Sequence, residues 1–254
     1  MKGGSEKIIA KDLSFSIEQS SKIAIVGRSG CGKTMTGMAV LGLLPENCHA
    51  SGSITWGDAE LLTLPAKIRR SYLGREFSLI PQSGADFLNP SLKIRRQFEE
   101  ALRRTDIASG DYTSRVNELM LSIGFEEPEK VLEAYPFQIS GGMAQKVVVL
   151  MSALSSPKLV IADEPTRGID QDAVHDFLKN LDKFFGDAAI ILITHDISVA
   201  GTCDDILVMN DGRIVESGKT SVVLSAPKEA YTQSLLRDLP GGWISETRET
   251  ANVA

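Results

Sequence analysis

Short apolar segments recur along the chain and predict the strands of a buried sheet. Each is five or six residues long and bounded by polar or turn-forming residues; the four are Lys22–Val26, Glu76–Pro81, Lys158–Ala162 and Ala189–Thr194. Between the last two, apolar residues recur at helical spacing and end before Gly186; this stripe comprises Ala173, Val174, Phe177, Leu178, Leu181 and Phe185. Strand–helix–strand alternation of this length predicts parallel strands joined by right-handed crossovers.

The middle of the chain has helical periodicity instead. Leu92–Arg104 and Tyr112–Ile123 are predicted helices, and Gly124 is a stop signal for the second. One face of that second helix is apolar and carries Tyr112, Val116, Leu119, Met120 and Ile123. Because this block, roughly 83–149, lies between two strand-rich portions, it is predicted to be an inserted helical segment.

Three further segments have clear local signals. Thr34–Leu44 is a predicted buried helix that ends before Pro45. Two β-hairpins are predicted, Ser51–Leu61 turning at Gly57-Asp58 and Ile206–Glu216 turning at Asn210-Asp211-Gly212. The polar residues 237–254 are predicted to form a loosely held tail.

Composition narrows the classes of function. A chain of 254 residues that is 43% hydrophobic is long enough for one core with a smaller inserted subdomain. A net charge of −6 argues against nucleic acid as the main ligand. The chain has neither a signal-peptide-like start nor an apolar run of roughly 20 residues, so we expect any membrane contact to go through a partner. Cys31, Cys48 and Cys203 are scattered, which suggests a reducing compartment.

A glycine-rich segment follows the first predicted strand and matches the eight-residue P-loop pattern; it is Gly27, Arg28, Ser29, Gly30, Cys31, Gly32, Lys33 and Thr34. Glycines allow successive backbone N–H groups to point at phosphate oxygens, and the start of the next helix adds partial positive charge. Lys33 is predicted to reach the β- and γ-phosphates, and the Thr34 hydroxyl to ligate Mg²⁺.

Polar residues follow two other predicted strands. Asp163 and Glu164 come after Lys158–Ala162, at the carboxyl end of a strand, where open parallel sheets bind ligands. We expect Asp163 to hold Mg²⁺ and Glu164 to orient and deprotonate the attacking water. His195 follows Ala189–Thr194 and is predicted to stabilise charge on the γ-phosphate.

The segment Ser140-Gly141-Gly142-Met143 resembles the signature motif of ABC ATPases. The resemblance implies a P-loop NTPase (RecA-like) α/β core with an antiparallel β subdomain and an inserted α-helical signature subdomain. The expected single domain then divides into a core of 1–82 and 150–236, a helical segment of 83–149 and the tail. It also implies that Ser140, Gly141 and Gly142 bind the ATP of a partner ATPase, so that two nucleotides lie between two such subunits.

Other family elements resemble the expected pattern in order. Gln82 resembles the Q-loop glutamine, which implies Mg²⁺ sensing and a link to the transporter, and Gly168-Ile169-Asp170 occupies the D-loop position, where Asp170 would contact the partner's P-loop. Phe87–Pro90, Tyr135–Phe137 and Pro227–Leu236 most resemble the ATPases of peptide/nickel importers. That resemblance implies a second, non-identical ATPase chain, two transmembrane permease subunits, an extracytoplasmic substrate-binding protein, no nucleic acid partner, and a location on the cytoplasmic face of the membrane.

Several departures leave alternatives open. Ile139, Met143, Ala144 and Lys146 differ from the commonest signature residues of the family, although methionine is usual in the peptide/nickel importer type, and the D-loop reads Arg-Gly-Ile-Asp. The expected strand with an adenine-stacking aromatic is absent before the P-loop, Phe15 reads as a core residue, and weak base selectivity is therefore expected. A regulatory subunit with low turnover is the main alternative to a motor subunit. An ABC protein acting on ribosomes or DNA and an ordinary P-loop kinase are weaker alternatives, because neither matches the whole pattern.

Overall fold

The computed structural model describes residues 7–103, 105, 112–168 and 170–238. The strands are β1 (Lys22–Val26), β2 (Thr55–Trp56), β3 (Ala59–Glu60), β4 (Phe77–Ile80), β5 (Leu159–Asp163), β6 (Ala189–Thr194), β7 (Asp205–Asn210) and β8 (Arg213–Lys219). The helices are α1 (Lys33–Leu41), α2 (Ala66–Ser71), α3 (Gly84–Phe87), α4 (Ile94–Leu102), α5 (Tyr112–Ser122), α6 (Pro128–Glu133), α7 (Gly141–Ala153), α8 (Gln171–Phe185), α9 (Ile197–Ala200), α10 (Thr220–Ser225) and α11 (Ala230–Arg237). None of the helices in these residues is both long and apolar enough to cross a lipid bilayer.

The chain divides into two compact units. The described residues of the first unit lie in Met1–Ser16, Lys22–Thr36 and Leu192–Ala254. Those of the second unit lie in Ile17–Ser21 and Gly37–Ile191. Helix α1 and strand β6 each begin in one unit and end in the other.

A mixed sheet forms the first unit, with the strand order β6-β1-β7-β8. β1 and β7 are parallel, and their register runs from Ile23↔Asp205 to Val26↔Val208. β7 and β8 are antiparallel, joined by Asp211 and Gly212 with φ of 45° and 76°. Positive φ at both central residues is the geometry of a two-residue hairpin turn, so the predicted hairpin is confirmed.

The second unit is built on the strand order β4-β5-β6, with α7 packed on β4. β4 and β5 are parallel and pair from Phe77↔Leu159 to Ile80↔Ala162. The small β2–β3 hairpin turns at the predicted Gly57-Asp58. Its Trp56 ring meets the buried Phe77 ring edge to face, with centroids 5.0 Å apart, which attaches the hairpin to β4.

The described part of 83–149 contains helices and no strand, as its periodicity predicts. On α5, Val116 and Met120 are fully buried, and Leu119 is half-buried. The predicted limit Arg104 lies outside the described residues, as do residues 239–254 of the predicted tail. Division of the chain into core, helical segment and tail at the expected boundaries stays a prediction.

Helix α1 ends three residues earlier than the predicted Leu44. Gly42 adopts a φ of 69°, and the N–H of Leu43 donates to the carbonyl of Met38 at 2.8 Å. This pattern is a glycine-dependent helix stop, in which the residue after the helix takes a left-handed conformation. The boundary prediction was wrong because the glycine, rather than Pro45, ends the helix.

The segment ahead of β1 alternates between half-buried and exposed positions. Leu13, Phe15 and Ile17 are half-buried, and Ser14 and Ser16 are exposed. No strand pairs with this segment within the described part of the chain. Phe15 is thus half-buried, whereas the sequence predicted a core residue, so this prediction is confirmed only in part.

A network of charged side chains links α4 to α6 in the second unit. The carboxylate of Glu133 accepts from Lys93 Nζ at 2.8 Å and from Arg95 Nε at 2.7 Å, and Arg95 also pairs with Glu129. These donors, Lys93 first, lower the pKa of Glu133 from 4.5 to about 2. The bonds stabilise the ionised carboxylate in the folded chain.

We predict that Glu133→Gln lowers the free energy of unfolding at neutral pH and that the loss disappears in acid. A depressed folded-state pKa contributes stability above the unfolded value of 4.5, and this contribution is lost as pH falls towards about 2. Chemical unfolding between pH 7 and pH 3 measures it. Glu126→Gln is the matched control, at an exposed carboxylate that pairs with no Lys or Arg among the described residues; equal losses for both variants at pH 7 would contradict the assignment.

Candidate functional site

The predicted phosphate loop connects β1 to α1 in the first unit. β1 is buried and matches its predicted limits, and α1 begins at Lys33. Between them, Gly27, Gly30 and Gly32 have φ of 153°, 84° and 102°. Residues other than glycine rarely adopt these φ values, so the glycines allow the loop to curl.

Close packing surrounds two of these glycines and leaves the third open. A Cβ on Gly27 would lie 2.2 Å from the carbonyl oxygen of Met209, and one on Gly32 would lie 3.0 Å from that of Ile9. A Cβ on Gly30 would meet no atom within 4 Å. The loop therefore has a packed side and an open side, and the open side has room for a ligand.

Lys33 is buried, and its ammonium group lies across the loop. Nζ donates to the carbonyl of Gly27 at 2.8 Å and to that of Arg28 at 3.2 Å. Cys31 is also buried, whereas Arg28, Ser29 and Thr34 are exposed. The loop thus combines the buried ammonium of Lys33 with backbone N–H groups, the chemistry that binds phosphate.

Helix α11 and the residue that follows it contact the loop through two side chains to which the sequence assigned no role at this site. The hydroxyl of Tyr231 accepts from the backbone N–H of Arg28 at 3.0 Å, and Asp238 pairs with the Arg28 guanidinium at 3.3 Å. Tyr231 lies 203 residues from Arg28 along the chain. No local pattern could have identified this contact.

His195 follows β6, the strand beside β1 in the first unit. Its side chain is exposed, and the next residue, Asp196, begins α9 by accepting from the N–H groups of Ser198 and Val199. The structure therefore places His195 at the carboxyl end of a core strand, as predicted. Its role toward phosphate stays a prediction.

The second unit brings Gln82 and Asp163 together. Asp163 is the buried last residue of β5, and Gln82 lies just beyond the parallel strand β4. Both line an open cavity of about 410 Å³, together with Met38, Leu79, Pro81, Ser83, Asp86 and Phe87. The carboxyl ends of β4 and β5 thus form part of the wall of one cavity.

Glu164 follows Asp163 in an unusual backbone conformation. Its φ is 47°, in the left-handed region that residues with a side chain seldom occupy. The next turn is closed by the N–H of Arg167, which donates to the carbonyl of Glu164 at 3.1 Å. Such local strain is found more often at functional sites than elsewhere.

Two side chains to which the sequence assigned no role at this site hold the segment around Gln82. Gln145 of α7 donates from Nε2 to the carbonyl of Pro81 at 3.1 Å. With its Oε1 facing Arg167, Gln82 accepts from Nε at 3.2 Å and from Nη1 at 2.6 Å. In the opposite orientation the amide NH₂ would face guanidinium donors, so the first orientation is the physically consistent one.

The predicted signature and D-loop residues both lie at helix starts. Ser140 begins α7 by accepting from the N–H of Met143 at 3.2 Å, and Asp170 begins α8 by accepting from that of Ala173 at 2.9 Å. A Cβ on Gly141 or Gly142 would meet no atom within 4 Å. The start of α7 is therefore exposed and unobstructed. Ile169, the middle residue of the predicted D-loop segment, lies outside the described residues.

The family profile described as ABC transporter matches residues 10–167, more than half of the chain. The chain belongs to the ABC transporter family. It is an ATPase of this family and binds nucleotide, and its fold is the α/β P-loop fold predicted from the resemblance.

Curated relatives of this ABC ATPase include three transport proteins. The dipeptide transport ATP-binding protein DppD of Haemophilus influenzae is 38% identical over 90% of this chain and 71% of its own length. The metal-staphylopine import system ATP-binding protein CntD of Staphylococcus aureus is 30% identical over 90% and 86%. The peptidoglycan transport ATP-binding protein YejF of Agrobacterium fabrum is 37% identical over 94% of this chain, which spans 45% of that relative's length.

Solved structures share the fold. An ATP-binding subunit of an ABC transporter superposes with a TM-score of 0.72 at 25% identity, covering 92% of this chain and 93% of the other. The ATP-binding cassette MJ0796, in a dimeric post-hydrolysis state with ADP and Pi, has a TM-score of 0.74 at 23% identity, covering 87% and 94%. The second likeness establishes the fold alone.

We predict that Gly27→Ala destabilises this ABC ATPase more than Gly30→Ala does. Each substitution places a Cβ at an unfavourable φ, at a cost of about 1–3 kcal/mol. Only Gly27→Ala also forces an overlap with the Met209 carbonyl, and such overpacking adds about 1–3 kcal/mol. Chemical unfolding without nucleotide measures both variants; a Gly30→Ala loss equal to or larger than that of Gly27→Ala would contradict the packing argument.

Proposed function

We propose that this ABC ATPase is the motor subunit of an importer for peptides, nickel or metal–chelator complexes, in which ATP-driven dimerisation powers transport. The observation that carries the proposal is the likeness, over about 90% of the chain, to both DppD and CntD. Those relatives are named for dipeptide transport and metal-staphylopine import. Because the chain is similar to both relatives, the proposed cargo includes peptides as well as metals and their chelates.

The phosphate loop supplies the ATP contacts. Backbone N–H groups of residues 27–34, other than that of Arg28, which donates to Tyr231, bind the phosphates, and the open space at Gly30 admits them. The Lys33 ammonium exchanges its two carbonyl partners for oxygens of the β- and γ-phosphates. The fit rests on a buried positive charge beside a glycine loop with one unobstructed side.

The chain also offers oxygen ligands that suit Mg²⁺. Gln82 and Asp163 line the same cavity, and the Thr34 hydroxyl is the third proposed ligand. Mg²⁺ prefers such oxygen donors and keeps several waters, so a site with few protein ligands is adequate. When bound, the ion neutralises charge between the β- and γ-phosphates.

Two residues carry the hydrolytic step in this proposal. Glu164 orients a water molecule and accepts its proton as the water attacks the γ-phosphorus; the bond from this phosphorus to the β–γ bridging oxygen breaks, and ADP leaves. His195 donates a hydrogen bond to a γ-phosphate oxygen, where negative charge develops. Lys33 supports the same step by binding the phosphate oxygens, and Gln82 supports it as a ligand of Mg²⁺.

A second ATPase subunit, non-identical to this one, completes each site. The exposed start of α7 offers Ser140 and the amides of Gly141 and Gly142 to the partner's nucleotide, since a helix start attracts anions. Asp170 contacts the partner's P-loop. Hydrolysis by the isolated chain should accordingly be slow.

The remaining partners are two transmembrane permease subunits and, through them, an extracytoplasmic substrate-binding protein. This arrangement places the chain at the cytoplasmic face of the membrane. Phe87 supports a permease contact, because this large apolar residue is 51% exposed and lines the cavity that contains Gln82. Contact there links the permease to the proposed metal ligand.

We predict that Glu164→Gln leaves ATP binding within about twofold and lowers hydrolysis by about 100-fold or more, because removal of a general base costs about 10²–10⁴-fold. The amide keeps the shape of the side chain but cannot accept the proton. Nucleotide binding and phosphate release are measured in the assembled complex.

Glu126→Gln is the control for loss of an exposed carboxylate. Substantial residual hydrolysis by Glu164→Gln would remove Glu164 from the role of base. A wild-type complex whose turnover depends only on the second ATPase chain would support the alternative, a nucleotide-binding regulatory subunit.

A further inference from the structure

The contact between Arg167 and Gln82 uses the atom that the proposed Mg²⁺ site needs. Oε1 of Gln82 accepts from both Nε and Nη1 of Arg167, at 3.2 and 2.6 Å. An amide oxygen has two lone pairs, and these two donors occupy both. Metal ligation by Gln82 therefore requires release from Arg167.

We infer that Arg167 is a positioning residue that holds Gln82 back and thereby sets how much Mg²⁺ is needed for nucleotide binding. The inference rests on the proposed function, in which Gln82 ligates Mg²⁺. Arg167 itself touches neither ATP nor the metal in this scheme. It acts by competing for one oxygen atom.

Hydrogen bonds fix the backbone on both sides of Gln82, so Gln82 can move mainly by rotation of its side chain. Before Gln82, the Pro81 carbonyl accepts from Gln145, which is 4% exposed. After it, Ser83 begins α3 by accepting from the N–H of Asp86 at 3.3 Å. A Cβ on Gly84 would lie 2.6 Å from the backbone nitrogen of Gln145, so α3 and α7 are in close contact.

Arg167 comes from the turn that carries another proposed metal ligand, Asp163, and the proposed base, Glu164. This turn starts at Asp163, passes through the strained Glu164 and is closed by the N–H of Arg167. A rearrangement of the turn would move the guanidinium and release Gln82. The contact therefore couples the state of this turn to the availability of a metal ligand.

The side-chain partner of the Arg167 guanidinium, in the part of the chain that the structure describes, is the amide oxygen of Gln82. Both side chains are exposed. The contact is consequently weak enough to be broken on binding, and an effect of about three- to tenfold is the expected scale.

The test uses the full chain in the assembled complex, with a fluorescent non-hydrolysable ATP analogue titrated at a series of Mg²⁺ concentrations. Arg167→Met removes the donors and keeps the length of the side chain. It is expected to lower the half-saturating Mg²⁺ concentration about three- to tenfold in the presence of Gln82, and to change it less than twofold in a Gln82→Ala background. Arg115→Met, at an exposed arginine of α5, is the control for loss of positive charge.

Three outcomes would overturn the inference. Arg167→Met could raise the Mg²⁺ requirement, which would mean that Arg167 aids ligation. Its effect could persist with Gln82→Ala, which would mean that only its charge matters. Arg167→Lys could match the wild type in Mg²⁺ requirement, although a lysine cannot reproduce the two-donor geometry.

A second measurement separates this inference from the proposed function. If Gln82→Ala alone leaves the Mg²⁺ requirement unchanged, Gln82 is not a metal ligand and that part of the proposed function fails. A double-mutant cycle of Arg167→Met and Gln82→Ala, followed by unfolding without metal, tests the contact itself. Measurable coupling supports the contact, and additive effects of the two substitutions overturn it.

Discussion

The close approach of Gly27 to the carbonyl of Met209 is the constraint on which the phosphate loop depends. β1 and β7 pair in parallel up to Val26↔Val208, so the next residue of each strand meets its neighbour directly. No Cβ fits there, since it would lie 2.2 Å from the oxygen. The first residue of the loop after β1 must therefore be glycine. The backbone that follows curls, and the loop keeps one open side.

Further contacts in the first unit support this loop from outside its motif. The N–H of Gly212 donates to the carbonyl of Cys31 at 3.2 Å, and that of Lys11 donates to the carbonyl of Gly212 at 2.8 Å. The β7–β8 turn thus lies beside the loop and binds the segment before β1. Tyr231 adds a hydroxyl acceptor for Arg28. The loop conformation is therefore stabilised by segments that are distant from it in sequence.

A different principle operates in the second unit, where a rigid backbone carries side chains that can change partners. Pro81, Ser83 and Glu164 each take part in a specific backbone or capping interaction. Gln82 lies between two of these, and its amide can rotate without disturbing them. Contacts of this kind suit a site that must bind and release a ligand repeatedly.

Local patterns predicted elements whose cause is local. β1, β6, the two hairpin turns and the helical character of 83–149 follow from periodicity and turn residues, and the structure confirms them. The end of α1 was misplaced because Gly42, not Pro45, stops it. Short helices such as α9 and α11 were missed, since a few residues give little periodicity.

By itself, the sequence determined the phosphate loop, the carboxylates after β5 and the resemblance to the ABC family, because each depends on residue types at fixed spacing. Only the tertiary structure decided that Gln82 and Asp163 share one cavity and that Tyr231 and Arg167 hold Arg28 and Gln82. Those contacts join residues far apart in the chain. Their physical basis is the register of parallel strands and the packing of helices, which no local pattern encodes.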